Sequence, residues 1–122
     1  LAQAQEVLEA VPHPSLKMQY DCYLMAMMGE DVLKGLPENI QASGHIQFAD
    51  CPGRHEPDTA QIMDANIFEW LQHSSYDGFI AAEYRPETVS TQSFAWKEEY
   101  LAAHPQSRTI ADLKFSPNNA IL

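Results

Sequence analysis

One stretch constrains this chain more than any other: Gly44 to Pro57, Gly-His-Ile-Gln-Phe-Ala-Asp-Cys-Pro-Gly-Arg-His-Glu-Pro. It opens as a strand in which Ile46 and Phe48 alternate with His45 and Gln47. It ends in a polar turn holding Pro52, Gly53, Arg54, His55 and Glu56. Parallel strands covered on both faces normally read as continuous apolar runs, so a glutamine inside one requires a reason. Two other strands of the chain end in the same way.

The rest of the chain supplies the frame. Leu1, Ala4, Val7, Leu8 and Val11 have the spacing of a helix with one buried face, and Pro12 and Pro14 stop it. Leu16 to Asp21 alternates as a strand, with Leu16, Met18 and Tyr20 on one face and Lys17, Gln19 and Asp21 on the other. Asp31 to Leu36 reads as a short helical turn ended by Gly35 or Pro37, and Ser43 to Ala49 as the second strand. A loop rich in Pro, Gly, His and Asp runs to about Thr59. Ile62, Ile67, Trp70 and Leu71 then give a helix to His73. Asp77-Gly78 marks a turn, Phe79 to Tyr84 forms the third strand, and Pro86 closes it. Phe94, Trp96, Tyr100 and Leu101 predict a last helix over Ser93 to Ala103. We expect an irregular tail over 104–122 after an ordered part over 1–103. The Met25, Met27 and Met28 cluster reads as core filling or loop packing.

Strands alternating with helices imply an α/β fold of parallel β/α units. Three units cannot close a barrel, which needs eight. They leave two bare sheet edges, which favour association, including homo-oligomers. Strand parity is informative here. Asp21, Gln47 and Glu83 each end a strand; Asp21 shares a face with Gln19 and Lys17, Gln47 with His45 and Ala49, and Glu83 with Ala81 and Phe79. The opposite faces carry Met18, Tyr20, Ile46, Phe48 and Ile80, which suit packing against helices. A (β/α) barrel builds its active face from strand ends of this kind. Two carboxylates and an amide oxygen converging there would form an all-oxygen cage, the donor set preferred by Mg²⁺ or Mn²⁺. Each residue also has a plainer reading, as a strand-end side chain that caps a loop. Arg54 could clamp a substrate carboxylate in bidentate fashion or pair at the surface with Glu56 or Asp58. His55 could donate to substrate or face solvent, while His45 suits a hydrogen-bonded core histidine.

Charge and cysteine usage narrow the partners. Seventeen acids against seven bases give a net charge of −10, which argues against nucleic acid or an anionic membrane surface. No apolar run approaches the roughly 20 residues of a membrane span, and nothing at the amino end resembles a signal peptide. Cys22 and Cys51 have no metal-type spacing and read as free buried thiols in a reducing compartment. That points to the cytoplasm.

Three segments carry a family resemblance: Leu16-Lys-Met-Gln-Tyr-Asp-Cys-Tyr23, His45-Ile-Gln-Phe-Ala-Asp-Cys-Pro-Gly-Arg-His-Glu-Pro57 and Tyr76-Asp-Gly-Phe-Ile-Ala-Ala-Glu-Tyr-Arg-Pro86. In order and spacing, from about Leu1 to Trp96, the chain resembles the hydroxypyruvate isomerase family of the xylose isomerase-like TIM-barrel superfamily. The resemblance implies the last three β/α units of a TIM (β/α)8 barrel. It implies that Asp21, Gln47 and Glu83 bind a divalent metal, that Glu83 is one of two acid/base glutamates, and that Arg54 lies near the substrate. The implied reaction interconverts hydroxypyruvate and tartronate semialdehyde through an enediolate. The family reads Asp-x-Tyr-His where this chain has Asp21, Cys22, Tyr23 and Leu24, and its other catalytic glutamate falls before Leu1. We therefore expect little or no isomerase activity from the chain by itself. The alternatives are a related sugar isomerase or epimerase, and a degenerate, non-catalytic relative of the barrel.

Overall fold

The computed structural model describes residues 1–57, 59, 62 and 64–105. Its elements run α1 (Ala2–Ala10), β1 (Met18–Asp21), α2 (Cys22–Met27), α3 (Val32–Asn39), a 3₁₀ turn (Ile40–Ala42), β2 (Ser43–Phe48), α4 (Asp64–His73), β3 (Phe79–Ala82) and α5 (Ala95–Ala103). The three strands form one parallel sheet in the order β1-β2-β3. Register aligns Tyr20 with Ile46 and Ile46 with Ile80 on one face, and Asp21 with Gln47 and Gln47 with Ala81 on the other. The expected division of faces is therefore present.

The apolar face carries the core. Met18, Tyr20, Ile46, Phe48 and Ile80 are buried there, together with Leu36, Ile67, Phe68 and Leu71 from the helices. The Phe48 ring meets Phe68 edge-on at 4.8 Å and Trp96 at 5.7 Å, and Phe68 meets Tyr100 at 5.4 Å. This aromatic cluster ties α4 and α5 to the centre of the sheet; such pairs add about 0.5–1.5 kcal/mol beyond the area they bury. On the other face Gln19 is exposed, and so is 49% of Phe79. Toward the carboxyl ends the same face is covered, with Asp21, Gln47 and Ala81 buried.

Several boundaries differ from the sequence expectations. Helix α3 runs through Pro37 to Asn39. A proline removes one backbone donor and crowds the carbonyl four residues before it; α3 nevertheless continues for two residues, and the Asn39 amide closes its end by donating to Gly35 O at 2.8 Å. Helix α2 has no counterpart in the sequence analysis. It starts because the Asp21 carboxylate accepts from Leu24 N at 3.1 Å, an N-cap. Of the methionine cluster, Met25 packs on the core, whereas Met27 and Met28 on α2 and its C-cap are exposed. Val7 and Val11 are also exposed, so α1 packs on the core through Leu1, Ala4 and Leu8, with Gln5 Nε2 donating to Asn39 Oδ1 at 2.8 Å.

Strands β1 and β3 are shorter than their alternation, and Leu16 stays exposed. Past Ala82, Glu83 N still donates to Phe48 O at 3.0 Å. The Tyr84 hydroxyl then donates to Ser93 O at 2.8 Å, which ties Ser93 to a turn and lets α5 begin only at Ala95. Cys22 and Cys51 are buried and form no disulfide among the described residues. No helix among the described residues is long and apolar enough to cross a membrane. The irregular tail expected over 104–122 lies outside the described residues beyond Pro105.

Candidate active site

The strand ends bring two of the three expected oxygen donors to one cation. Asp21 closes β1 and Gln47 stands opposite it on β2. Glu83 follows β3 by one residue, on the parity of Ala81. Arg54 enters from the loop after β2, its Nη2 lying 3.1 Å from Glu83 Oε1 and 4.0 Å from Asp21 Oδ2. Asp21 and Gln47 are buried, whereas Glu83 and Arg54 remain partly open to solvent. Each buried donor is oriented by a neighbour: Asp21 by its cap bond to Leu24 N, and Gln47 Oε1 by a short hydrogen bond from Gln19 Nε2.

Hydrogen bonds within the loop after β2 hold the turn that carries Arg54. Asp50 is buried, and its Oδ1 accepts from Cys51 N at 2.6 Å and from Ile62 N at 2.8 Å. Its backbone N–H donates to His55 O at 3.2 Å, and its carbonyl accepts from Arg54 N at 2.9 Å. Within this turn the Cys51–Pro52 peptide is cis and Arg54 has φ 57. A left-handed arginine costs about 1–2 kcal/mol and persists where neighbours over-determine it. Here Arg85 N donates to Arg54 O at 2.7 Å, and the guanidinium carbon sits 5.0 Å above the centre of the Tyr23 ring. Arg54 Nε is buried without a hydrogen-bond partner among the described residues.

The remaining candidates lie elsewhere. His55 turns to the loop after β3, with Nδ1 2.9 Å from Arg85 O and Nε2 3.7 Å from Glu87 Oε1. Donation to that carbonyl fixes the proton on Nδ1 in the neutral ring. His45 is half-buried on the inner face. A cleft of about 340 Å³ lined by Lys17, Gln41, Ser43, Tyr76 and Asp77 opens at the amino ends of the strands, opposite the carboxylates.

Sequence reasoning passed over Gln19, Tyr23 and Asp50. Gln19 was visible by parity, two residues before Asp21. Asp50 carried the signal of an acidic residue opening a Pro-Gly turn. Tyr23 gave none, because its contact depends on how the loop folds back.

Parallel β/α units whose carboxyl ends gather oxygen donors around a cation define the active face of a (β/α) barrel, here three units of it. The chain belongs to the xylose isomerase-like TIM barrel family, whose sequence model matches residues 1–104. Among its relatives, a 2-oxo-tetronate isomerase of Cupriavidus necator is 37% identical over 97 residues, covering 80% of this chain and 37% of that protein. A hydroxypyruvate isomerase of Escherichia coli is 33% identical over 98 residues, covering 80% and 38%. Among solved structures, one described as AP endonuclease, family 2, from Brucella melitensis superposes with a TM-score of 0.75 at 28% identity. That superposition covers 81% of this chain and 38% of the other. The chain thus spans under two-fifths of the length of these relatives.

Among the described residues no group of three His, Cys, Asp or Glu could hold a metal. The expected set differs, having two carboxylates and one amide. Its fit to a hard cation rests on two observations. Asp21 and Glu83 already direct oxygens at a single positive nitrogen, and Gln47 Oε1 keeps a second lone pair after accepting from Gln19.

Proposed function

We propose that, in the full-length protein, this site isomerises a small hydroxy-keto acid, interconverting hydroxypyruvate and tartronate semialdehyde. The observation that carries this reading is the gathering of Asp21 and Glu83 on the Arg54 guanidinium at the carboxyl ends of the strands. Asp21, Gln47 and Glu83 would hold a divalent cation such as Mg²⁺ or Mn²⁺. When bound, that ion would polarise the adjacent hydroxyl and carbonyl oxygens of the substrate. The substrate carboxylate exchanges for Glu83 on Arg54, whose fork suits bidentate binding. Glu83, released from the guanidinium, takes a proton from the hydroxymethyl carbon and leaves an enediolate. Return of that proton from Glu83 to the neighbouring carbon, with the hydroxyl proton passing between the two oxygens, completes the isomerisation. No atoms are gained or lost.

Substitution of Glu83 by glutamine in the full-length protein tests the assignment. General acid–base catalysis is worth about 10²–10⁴ in rate, and kcat should fall by at least that factor. A near wild-type rate would remove Glu83 from the mechanism. The 122-residue chain alone should turn over little or not at all.

A longer sugar acid is the second reading, favoured by the 37% identity to the 2-oxo-tetronate isomerase of Cupriavidus necator; Leu24 favours a third, a non-catalytic barrel. The Leu24 side chain is exposed one turn from Asp21, at the place where the resembled family carries histidine. An apolar group there donates no hydrogen bond to a three-carbon substrate. Comparing kcat/KM for hydroxypyruvate and a four-carbon 2-oxo acid separates the two, and failure on both leaves a non-catalytic barrel.

A further inference from the structure

We propose that Tyr23 is the positioning residue that sets Arg54 for its carboxylate ligand, an inference that rests on the reading of Arg54 as the substrate's anion receptor. Two contacts join Tyr23 to the turn carrying Arg54. Its ring faces the guanidinium carbon at 5.0 Å, and its hydroxyl donates a long hydrogen bond to Pro52 O at 3.4 Å. One side chain on α2 therefore touches both the backbone of the turn and its charged tip.

The guanidinium has few other fixed partners. Nε makes no hydrogen bond among the described residues, and the described ion pairs run through Nη2 to Glu83 and Asp21. Those pairs must loosen when a substrate carboxylate draws on the same nitrogens. The aromatic face does not compete for N–H donors, since it attracts the cation through the ring quadrupole. It is the contact that survives the exchange. The Arg54 backbone, at φ 57, also needs neighbours that hold it in place. Tyr23 lies two residues beyond Asp21 on the chain, so it links the position of the arginine to the strand end that supplies a carboxylate.

The test compares Tyr23→Phe and Tyr23→Leu in the full-length protein, alone and in an Arg54→Ala background. Phenylalanine keeps the ring and should leave KM for hydroxypyruvate within about 3-fold of wild type. Leucine removes the π face and should raise KM roughly 3- to 30-fold with little change in kcat, the range that cation–π energies convert to. In the Arg54→Ala background, Tyr23→Leu should add nothing further. Phenylglyoxal modification of Arg54, followed by mass spectrometry without substrate, should be faster in Tyr23→Leu than in wild type or Tyr23→Phe. If the leucine variant fails to fold, Tyr23→Met serves, having similar bulk and no π face. A drop in kcat at constant KM, a full effect without Arg54, or an unchanged modification rate would overturn the proposal. Absence of turnover in the wild type would instead refute the isomerase reading, and the modification measurement would still decide the role of Tyr23.

Discussion

Replacing Arg54 by alanine should tighten divalent-metal binding while weakening substrate binding. Arg54 Nη2 contacts Glu83 at 3.1 Å and approaches Asp21 to 4.0 Å, with side-chain exposures of 24%, 20% and 7% for Arg54, Glu83 and Asp21. Unit charges near 4 Å attract by about 4 kcal/mol at an effective dielectric constant of ~20. Partial exposure screens this toward the net worth of a hydrogen bond to a charged group, about 1.5–3 kcal/mol. A metal binding between the two carboxylates must displace or repel the guanidinium and forfeits that energy. At 1.4 kcal/mol per factor of ten, Arg54→Ala should bind Mn²⁺ about 10- to 100-fold more tightly. Alanine keeps a Cβ, so the backbone cost of φ 57 is unchanged. Calorimetric titration of the full-length protein with Mn²⁺, without substrate, measures the effect. Unchanged or weaker binding would mean that Arg54 assembles the carboxylates rather than competing for them, and the reasoning would fail.

Three further outcomes follow from the fold. Gly35→Ala gains about 1 kcal/mol of helix propensity, yet its Cβ would lie 2.6 Å from the buried Tyr20 hydroxyl. Overpacking costs of about 1–3 kcal/mol should win, so the melting temperature falls, and a rise would refute the packing account. Asp50→Ala strands the buried Cys51 and Ile62 N–H groups at about 1–3 kcal/mol each; a loss below 1 kcal/mol in chemical denaturation would show that the loop reorganises cheaply. Burial, reinforced by the Asp77 carboxylate, pushes the Tyr76 hydroxyl up from 10.0 to about 12. Its raised pKa means that the unfolded chain loses this proton first. The stabilisation is thus complete below pH 10 and is lost as pH rises toward 12. Absorbance titration at 295 nm should place one tyrosine in that window, and ionisation of every tyrosine near pH 10 would contradict it.

The parts of the fold legible in the sequence were those governed by short-range periodicity. Alternation separated Tyr20, Ile46 and Ile80 from Asp21, Gln47 and Ala81, and that separation held although β1 and β3 are shorter than the patterns implied. Parity depends on the pleat and not on where a strand formally ends. Glu83 lies beyond β3 yet keeps its place, because its N–H continues the ladder to Phe48 O. Helix α2 was missed because six residues are too few for a 3.6-residue period to declare itself. Its one clear signal was Asp21, which had already been assigned to the metal cage. The two oxygens of this carboxylate have separate partners: Oδ1 caps the helix while Oδ2 faces the Arg54 guanidinium.

The placement of Arg54 could not be read locally, since it is decided by contacts across separated segments. Asp50 reaches twelve residues along the chain to Ile62 N. Tyr23 reaches from α2, and Arg85 from the loop after β3. Strand positions thus fix the groups proposed for proton and metal chemistry, whereas loop contacts fix the group proposed to recognise the substrate. The two sets are separable by mutation. Changes at Glu83 should act on kcat, and changes at Tyr23 on KM. Asp50 supports the whole turn that carries Arg54, so changes there should move both.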